Sequence, residues 1–313
     1  PKVTVLMPVY NGERFLREAV KSILNQTYTD YELLIIDDAS RDSSAEIINS
    51  FSDRRIRFVK NKKNMGQMNT MNKGLGLVSG EYIARMDQDD ISLPGRLEKE
   101  VKVLDANPEI PLVFSDTYII DSKGKRRKKT VLDRVKAGEK CDFNGFLRGD
   151  FHICQCTTLI RRSIFDKVGL YNPAYKITAE HELYHFRILF DHEIKFIKEP
   201  LTEYRLYGGN TTSDVERTSN EIMDAMVKFT KKAIPGYQQK LLKNAISMQL
   251  ATLALCKLFA RKRKTSIATA LRAMRLNIRN IKACAVLACA FLLPDSAIRK
   301  IENRRRRLLG EDV

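Results

Sequence analysis

Tryptophan is absent from the 313 residues, and the basic C-terminal stretch holds few aromatic residues of any kind. Nucleic-acid-binding surfaces interleave aromatics with cations and carry recognisable motifs. Neither occurs, so nucleic acid is not expected as a partner despite a net charge of +17. Ordered cysteine spacing is missing too. Cys141, Cys154, Cys156, Cys256, Cys284 and Cys289 are irregularly placed, and Cys154-Gln-Cys156 has no second cysteine pair or spaced histidines to complete a zinc site. A chain of this length buries a core without staples, so reduced cytosolic thiols are expected. Cys256, Cys284 and Cys289 lie in apolar runs and read as small buried hydrophobes. No long apolar run is present. The uncharged run Ala283–Leu293 covers roughly 16 Å as a helix, about half a bilayer core. The opening residues lack the basic segment, apolar core and cleavage site of a signal peptide, so a cytoplasmic location is expected.

The charge is unevenly distributed. Met226 to Val313 hold 20 Lys/Arg and 4 Asp/Glu, a net of +16, whereas residues 1–225 hold 35 and 34. Two parts are therefore expected: a nearly neutral domain over 1–225 and a basic helical region over 226–313. The latter alternates apolar stripes with clusters such as Arg261-Lys-Arg-Lys264 and Arg304-Arg-Arg-Arg307. Such segments dock on anionic lipid, at about 1 kcal/mol per Lys or Arg near the surface. Expected is a peripheral protein on the inner face of the cell membrane.

The neutral part alternates two periodicities. Val3–Val9, Tyr31–Ile36, Ile56–Val59 and Glu81–Met86 are short, apolar and β-branched, as strands are. Glu13–Leu24, Ser43–Phe51 and Gln67–Val78 carry apolar residues at helical spacing. This predicts an α/β fold with a mostly parallel sheet and helices on both faces. Ligands in such sheets bind beyond the carboxyl ends of the strands. There the chain places Pro8-Val-Tyr-Asn11, Asp37-Asp38 and Asp87-Gln-Asp-Asp90. Three carboxylates within four residues repel one another unless neutralised. Mg²⁺ or Mn²⁺, with its preference for hard oxygen ligands, would neutralise them and hold a diphosphate; a solvated acidic turn is the simpler alternative. Asp37-Asp38 could cap a helix or read a nucleoside.

Taken together, Pro8-Val-Tyr-Asn11, Ile36-Asp-Asp-Ala-Ser40, Asn64-Met-Gly66, Asn72-Lys-Gly74, Gly80-Glu-Tyr-Ile83 and Ala84-Arg-Met-Asp-Gln-Asp-Asp-Ile91 stand in the order and spacing of a known family. Over residues 3–205 the chain resembles the inverting GT-A glycosyltransferases of family 2. The resemblance implies a Rossmann-like GT-A fold, with a nucleotide-sugar half (1–116) and an acceptor half (117–225). It implies a nucleoside-diphosphate sugar as donor, a UDP-sugar favoured, with Pro8, Tyr10, Asn11, Asp37, Asp38, Asn64, Gly66, Asn72 and Asp87 around it. It also implies a metal on Asp87 and Asp89, with Asp89 the more direct ligand and Asp90 structural. By the same analogy Arg205 reaches the diphosphate and Asn210-Thr-Thr-Ser213 forms a loop over the donor.

The acceptor half departs from the family at one position. Cys154–Ile160 reads as a strand, followed by Arg161-Arg162 and the turn Gly169-Leu-Tyr171. Next comes Ala179-Glu-His-Glu182, where the family usually has Ala-Glu-Asp with the Asp as catalytic base. Here that position is His181. Glu180, His181 and Glu182 all remain candidates for the base; Glu180 and Glu182, about 200° apart on a helix, cannot both face the cleft. The basic, apolar-striped C-terminal part, with its expected membrane docking, points to a hydroxyl of a glycolipid, lipid-linked or cell-surface polysaccharide as the acceptor. The departure also leaves open a catalytically decayed domain that only binds membrane or nucleic acid.

Overall fold

The computed structural model describes residues 1–132, 140–176, 178–207, 214–229 and 235–309; the loop expected at Asn210–Ser213 lies outside them. In chain order the elements are β1 (Val3–Val9), α1 (Leu16–Leu24), β2 (Tyr31–Asp37), α2 (Ser44–Asn49), β3 (Ile56–Lys60), α3 (Gln67–Leu75), β4 (Tyr82–Arg85), β5 (Ile91–Ser92), α4 (Arg96–Asp105), β6 (Leu112–Ile120), β7 (Arg126–Thr130), β8 (Lys140–Cys141), α5 (Phe143–Arg148), β9 (Thr158–Arg161), α6 (Ile164–Val168), α7 (Ala179–His181), β10 (Ile194–Arg205), α8 (Val215–Phe229), α9 (Gly236–Phe259), α10 (Arg263–Leu276), α11 (Ile281–Leu292) and α12 (Asp295–Leu309). They form two units. One comprises Pro1–Phe143 with Asp150–Leu206, the other Asn144–Gly149 with Tyr207–Val313. The division thus falls at Leu206, and α8 lies with the C-terminal unit rather than with a domain ending at 225.

The first unit is built on one sheet, ordered β3-β2-β1-β4-β9-β6-β10-β5, with β7 on β6 and β8 on β10. The expected mostly parallel α/β sheet is present. Among the described residues, antiparallel pairing is confined to β5, β7, β8 and β9. Residues alternate faces along each strand. Val3, Val5, Met7 and Val9 of β1 join Leu33 and Ile35 of β2 against Leu16, Val20 and Ile23 of α1 and Leu97, Val101 and Leu104 of α4. The opposite face, with Leu6 and Ile36, receives α3 so closely that a Cβ on Gly74 would lie 2.5 Å from a Leu6 methyl. Helices therefore cover both faces. One strand boundary shifts from the sequence expectation. Cys154–Ile160 is not a continuous strand: Gln155–Thr157 make a 3₁₀ turn before β9 begins at Thr158.

The second unit is helical. Ala254, Leu258, Ala270, Val286, Ala290 and Ile298 form its core. Small polar residues let α9 and α10 approach: Ser247 Oγ donates to the Ala273 carbonyl and Ser266 Oγ to the Ala254 carbonyl, both at 2.7 Å. Asn280 caps α11 by accepting from the Ala283 N–H at 3.0 Å. At its other end Arg263 donates to the carbonyls of Ala290 and Leu293, where a cation also complements the helix dipole. Among the described residues no helix is long and apolar enough to cross a membrane.

Candidate active site

β1 lies between β2 and β4, all three parallel, so their carboxyl ends meet. Gln88, within the acidic motif after β4, grips the end of β1: its Oε1 accepts from the Tyr10 N–H at 2.8 Å and its Nε2 donates to the Tyr10 carbonyl at 3.1 Å. Gly12 must be glycine for this grip, since a Cβ there would lie 2.6 Å from Gln88 Oε1. The turn after β1 is tied to the turn after β2. The Asn11 N–H donates to Ser40 Oγ, and Asn11 Oδ1 accepts from the Arg41 N–H, each at 2.9 Å. Asn11 (φ 49°) and Ala39 (φ 61°) both take the left-handed conformation, rare for a residue such as alanine. Pro8 is buried in β1 beside Ile36, and Tyr10 stands 43% exposed at the mouth.

The carboxylates of β2 are occupied by the protein itself. Asp37 is buried, accepts from the Ser40 N–H at 2.9 Å, and has Lys60 Nζ 3.6 Å away. Asp38 accepts from Asn61 Nδ2 and the N–H groups of Met65 and Gly66, all at 2.8 Å. It shapes the loop holding Asn64 and Gly66, and Gly66 (φ 83°) needs glycine there. Asn72, expected at the nucleotide, instead clamps the acceptor half: Nδ2 donates to the Tyr171 carbonyl and Oδ1 accepts from the Tyr171 N–H, at 2.8 and 3.0 Å.

Beyond β4 the side chains converge around Arg85, a residue to which the sequence alone assigns no role. Its guanidinium is buried; Nη2 donates to Asp87 Oδ1 at 2.7 Å and Nε to Glu180 Oε1 at 2.6 Å. One cation therefore joins the acidic motif to a helix 95 residues later. Burial holds the Glu180 carboxyl above the usual carboxylate range, with Asp87 adding to the shift and Arg85 opposing it. Asp90 is buried as well, and burial followed by the charges of Asp89 and Asp87 holds it well above that range. Asp87 and Asp89 remain half-buried at the rim. Among the described residues no third His, Cys, Asp or Glu completes a metal cage. Two hard carboxylates amid concentrated negative charge still fit Mg²⁺ or Mn²⁺, which are commonly held by one or two carboxylates with phosphate oxygens supplying the rest.

The three candidate bases separate cleanly. After α7 the helix widens over Glu182–Ile188, with the Leu189 N–H bonding the Tyr184 carbonyl five residues back, a distortion frequent at functional sites. Glu180 faces Arg85. Glu182 is bound to Arg187, whose Nη1 donates to the Val168 carbonyl. His181 packs with its ring centre 4.1 Å from that of His185, near His152 and Phe186. Burial, helped by His152, pushes the His181 pKa down to about 3. In the unfolded chain histidine titrates near 6.5, so below that pH the unfolded state binds the extra proton. The stability that His181 contributes should therefore fall between about pH 6.5 and 3, by about 2 kcal/mol at pH 5. His185, also pushed down by burial, acts in the same direction. The buried carboxyls of Glu180 and Asp90, held above their ordinary range, act in the opposite direction. Urea unfolding of the parent and of His181→Asn at pH 7 and pH 5 therefore isolates the histidine; a stability difference between the two proteins that does not move with pH would contradict a buried, neutral His181.

Arg205, expected at the diphosphate, is engaged within the protein instead. It is buried: Nε donates to the Asp89 carbonyl at 2.8 Å, Nη2 to Glu18 at 2.7 Å, and its backbone N–H to Asp90 Oδ1 at 2.9 Å. It also lies over the Phe15 ring. Its work is to set the acidic loop.

Comparison with known proteins gives the family and the fold. The family described as Glycosyl transferase family 2 matches residues 4–169. EpsE of Bacillus subtilis, provisionally named a glycosyltransferase, is 40% identical over 66% of this chain and 70% of its own. An uncharacterized glycosyltransferase of Haemophilus influenzae is 33% identical over 77% and 76%. Among solved structures, S. aureus TarS 1-349 in complex with UDP superposes with TM-score 0.67 at 13% identity, over 98% of this chain and 92% of that one. Mannosyltransferase PcManGT from Pyrobaculum calidifontis, in complex with GDP-Man and Mn²⁺, gives 0.57 at 16%, over 93% and 87%. The solved structures speak for the fold; the family match and the relatives place this chain in glycosyl transferase family 2, as a glycosyltransferase.

Proposed function

We propose that this transferase moves a sugar, with inversion, from a nucleoside-diphosphate donor to a hydroxyl of a lipid-linked or cell-surface polysaccharide acceptor, using Mn²⁺ or Mg²⁺ on Asp87 and Asp89. The observation that carries this reading is the Arg85 bridge, which sets Glu180 beside the acidic motif. A UDP-sugar is the favoured donor, supported by the UDP and UDP-GlcNAc complexes of TarS; GDP-mannose, bound to PcManGT, is the second choice. When bound, the metal supplies charge neutralisation for the departing diphosphate.

The chain's own residues do the rest. Tyr10, exposed at the mouth, and the loop shaped by Asp38 border the nucleoside. Glu180 accepts the proton of the acceptor hydroxyl as its oxygen bonds the anomeric carbon. The bond from that carbon to the diphosphate oxygen breaks, and the leaving group takes its electron pair. A buried carboxylate with a raised pKa is a stronger base than an exposed one. His181, held neutral with a pKa about 3, is a weaker proton acceptor, and Glu182 is committed to Arg187. With Glu180 so placed, the departure at His181 does not require a decayed site. We place the enzyme at the cytoplasmic membrane surface, where such acceptors are met.

The test is a donor screen on the full chain, with UDP-glucose, UDP-N-acetylglucosamine and GDP-mannose, reading released nucleoside diphosphate. Release with Mn²⁺ or Mg²⁺ from at least one donor, abolished by EDTA, is expected. Release that persists in EDTA would remove the metal from the proposal. Neither release nor a thermal shift with any donor would overturn it.

A further inference from the structure

The four most exposed large apolar residues described are Ile281 (83%), Leu292 (78%), Ile278 (76%) and Phe291 (68%). All four belong to α11 or the turn that leads into it. The uncharged run read from the sequence as too short to span is thus a helix whose buried side is Ala283, Val286 and Ala290. Its outer side is Ile281, Cys284, Ala285, Ala288, Phe291 and Leu292, all exposed and within a sector of about 120°. Cys284, expected to be buried, is on this outer face. A surface helix ordinarily turns charge to water. The outer sector of this one carries none, its single lysine, Lys282, being half-buried at the edge and donating to Thr252 at 2.8 Å, and it is the type of contiguous apolar patch that marks an interaction surface.

The surroundings select the partner. Arg272, Arg275 and Arg279 are exposed just before α11, and Arg299, Lys300 and Arg304 just after it. Leu271 and Leu276 are exposed among the first set. A second copy of the chain seated on this face would bring two such cationic rims together. A bilayer of anionic lipid offers acyl chains to the helix and phosphates to the rims. We propose that α11 is the membrane-inserting element, lying in the plane of an anionic leaflet with Ile281, Phe291 and Leu292 in the acyl boundary. Its length, about 18 Å, suits burial along the interface and not across a core of about 30 Å. This deepens the membrane-surface part of the proposed function and rests on it, but does not depend on which sugar is moved.

The absence of tryptophan makes the test direct. Phe291→Trp in the full chain introduces one reporter at an exposed position. With vesicles of phosphatidylglycerol and phosphatidylcholine, its emission is expected to shift to the blue and to be quenched by brominated acyl chains. Phosphatidylcholine alone should give neither. Ile281→Asp with Leu292→Asp should weaken flotation on anionic vesicles by at least about tenfold, since a carboxylate on that face resists leaving water. Donor hydrolysis in the same variants, measured without lipid, should be unchanged; that readout separates failure of docking from failure of the transferase reading. Equal flotation of the double variant, or no response to anionic vesicles, would overturn the proposal. A blue shift that appears without vesicles and grows with protein concentration would assign the face to a second copy instead.

Discussion

Asp89→Asn is expected to lower kcat/KM by about a thousandfold at fixed Mn²⁺, equivalent to about 4 kcal/mol of transition-state stabilisation. Asparagine keeps the shape of the side chain and removes its charge. The loop around it is set by its backbone, through Arg205 Nε on the Asp89 carbonyl, and this bond survives the change. Asp89 is half-buried at the rim, so stability should stay within about 0.5 kcal/mol of the parent, as for most substitutions outside the core. A loss of rate with an intact melting transition is therefore the signature. Titrating Mn²⁺ sharpens it: the variant should need far more metal and still fall short at saturation. Parent activity at saturating metal would show that Asp89 does not hold the ion. Asp87 is a poorer probe, because its charge is also shared with Arg85.

Glu180→Gln carries the second large effect, a loss of about 10²- to 10⁴-fold in kcat, the usual range for a positioned base. The amide oxygen can still accept from Arg85 Nε, so the bridge to the acidic motif is kept and donor KM should change little. The pH profile decides whether the loss is chemical. A base must be deprotonated to act. With the Glu180 carboxyl held above its ordinary range, the parent rate should drop on acidification at a pH above that of an exposed carboxylate. In the glutamine variant that limb should vanish. His181→Asn serves as the comparison. It would alter stability more than rate if Glu180 is the base; if it instead removes the acidic limb while Glu180→Gln retains it, the assignment passes to His181.

Much of this was legible in the sequence because it rests on local pattern. β1 and β2 announce themselves by β-branched apolar residues, α1 and α3 by their stripes, and the acidic motif by three carboxylates that repel. The roles that changed depend on partners far away in the chain. Asn72 is a plausible ligand residue until its amide is seen closed on Tyr171, 99 positions on. Arg205 looks like a free cation at a strand end until its three hydrogen-bond partners on the acidic loop and α1 are in view. Arg85 gave one usable signal. An arginine within a strand that is otherwise apolar must be paired once the strand is central, because an isolated buried charge is too costly. That argument asks for a carboxylate without saying which, and only the fold names Glu180.

Arg205 also bears on how the catalytic unit can be divided. The segment that matches the family ends at residue 169, yet the last strand of the sheet, β10, ends at 205 and its final side chain shapes the loop carrying Asp89 and Asp90. Residues 4–169 are thus a unit of ancestry and not of assembly. A chimera or truncation ending between them would keep every acidic residue of the motif and lose the strut that gives the motif its form. Transplanting donor specificity between such enzymes therefore calls for exchange through residue 205, with the Glu18 anchor on α1 carried along.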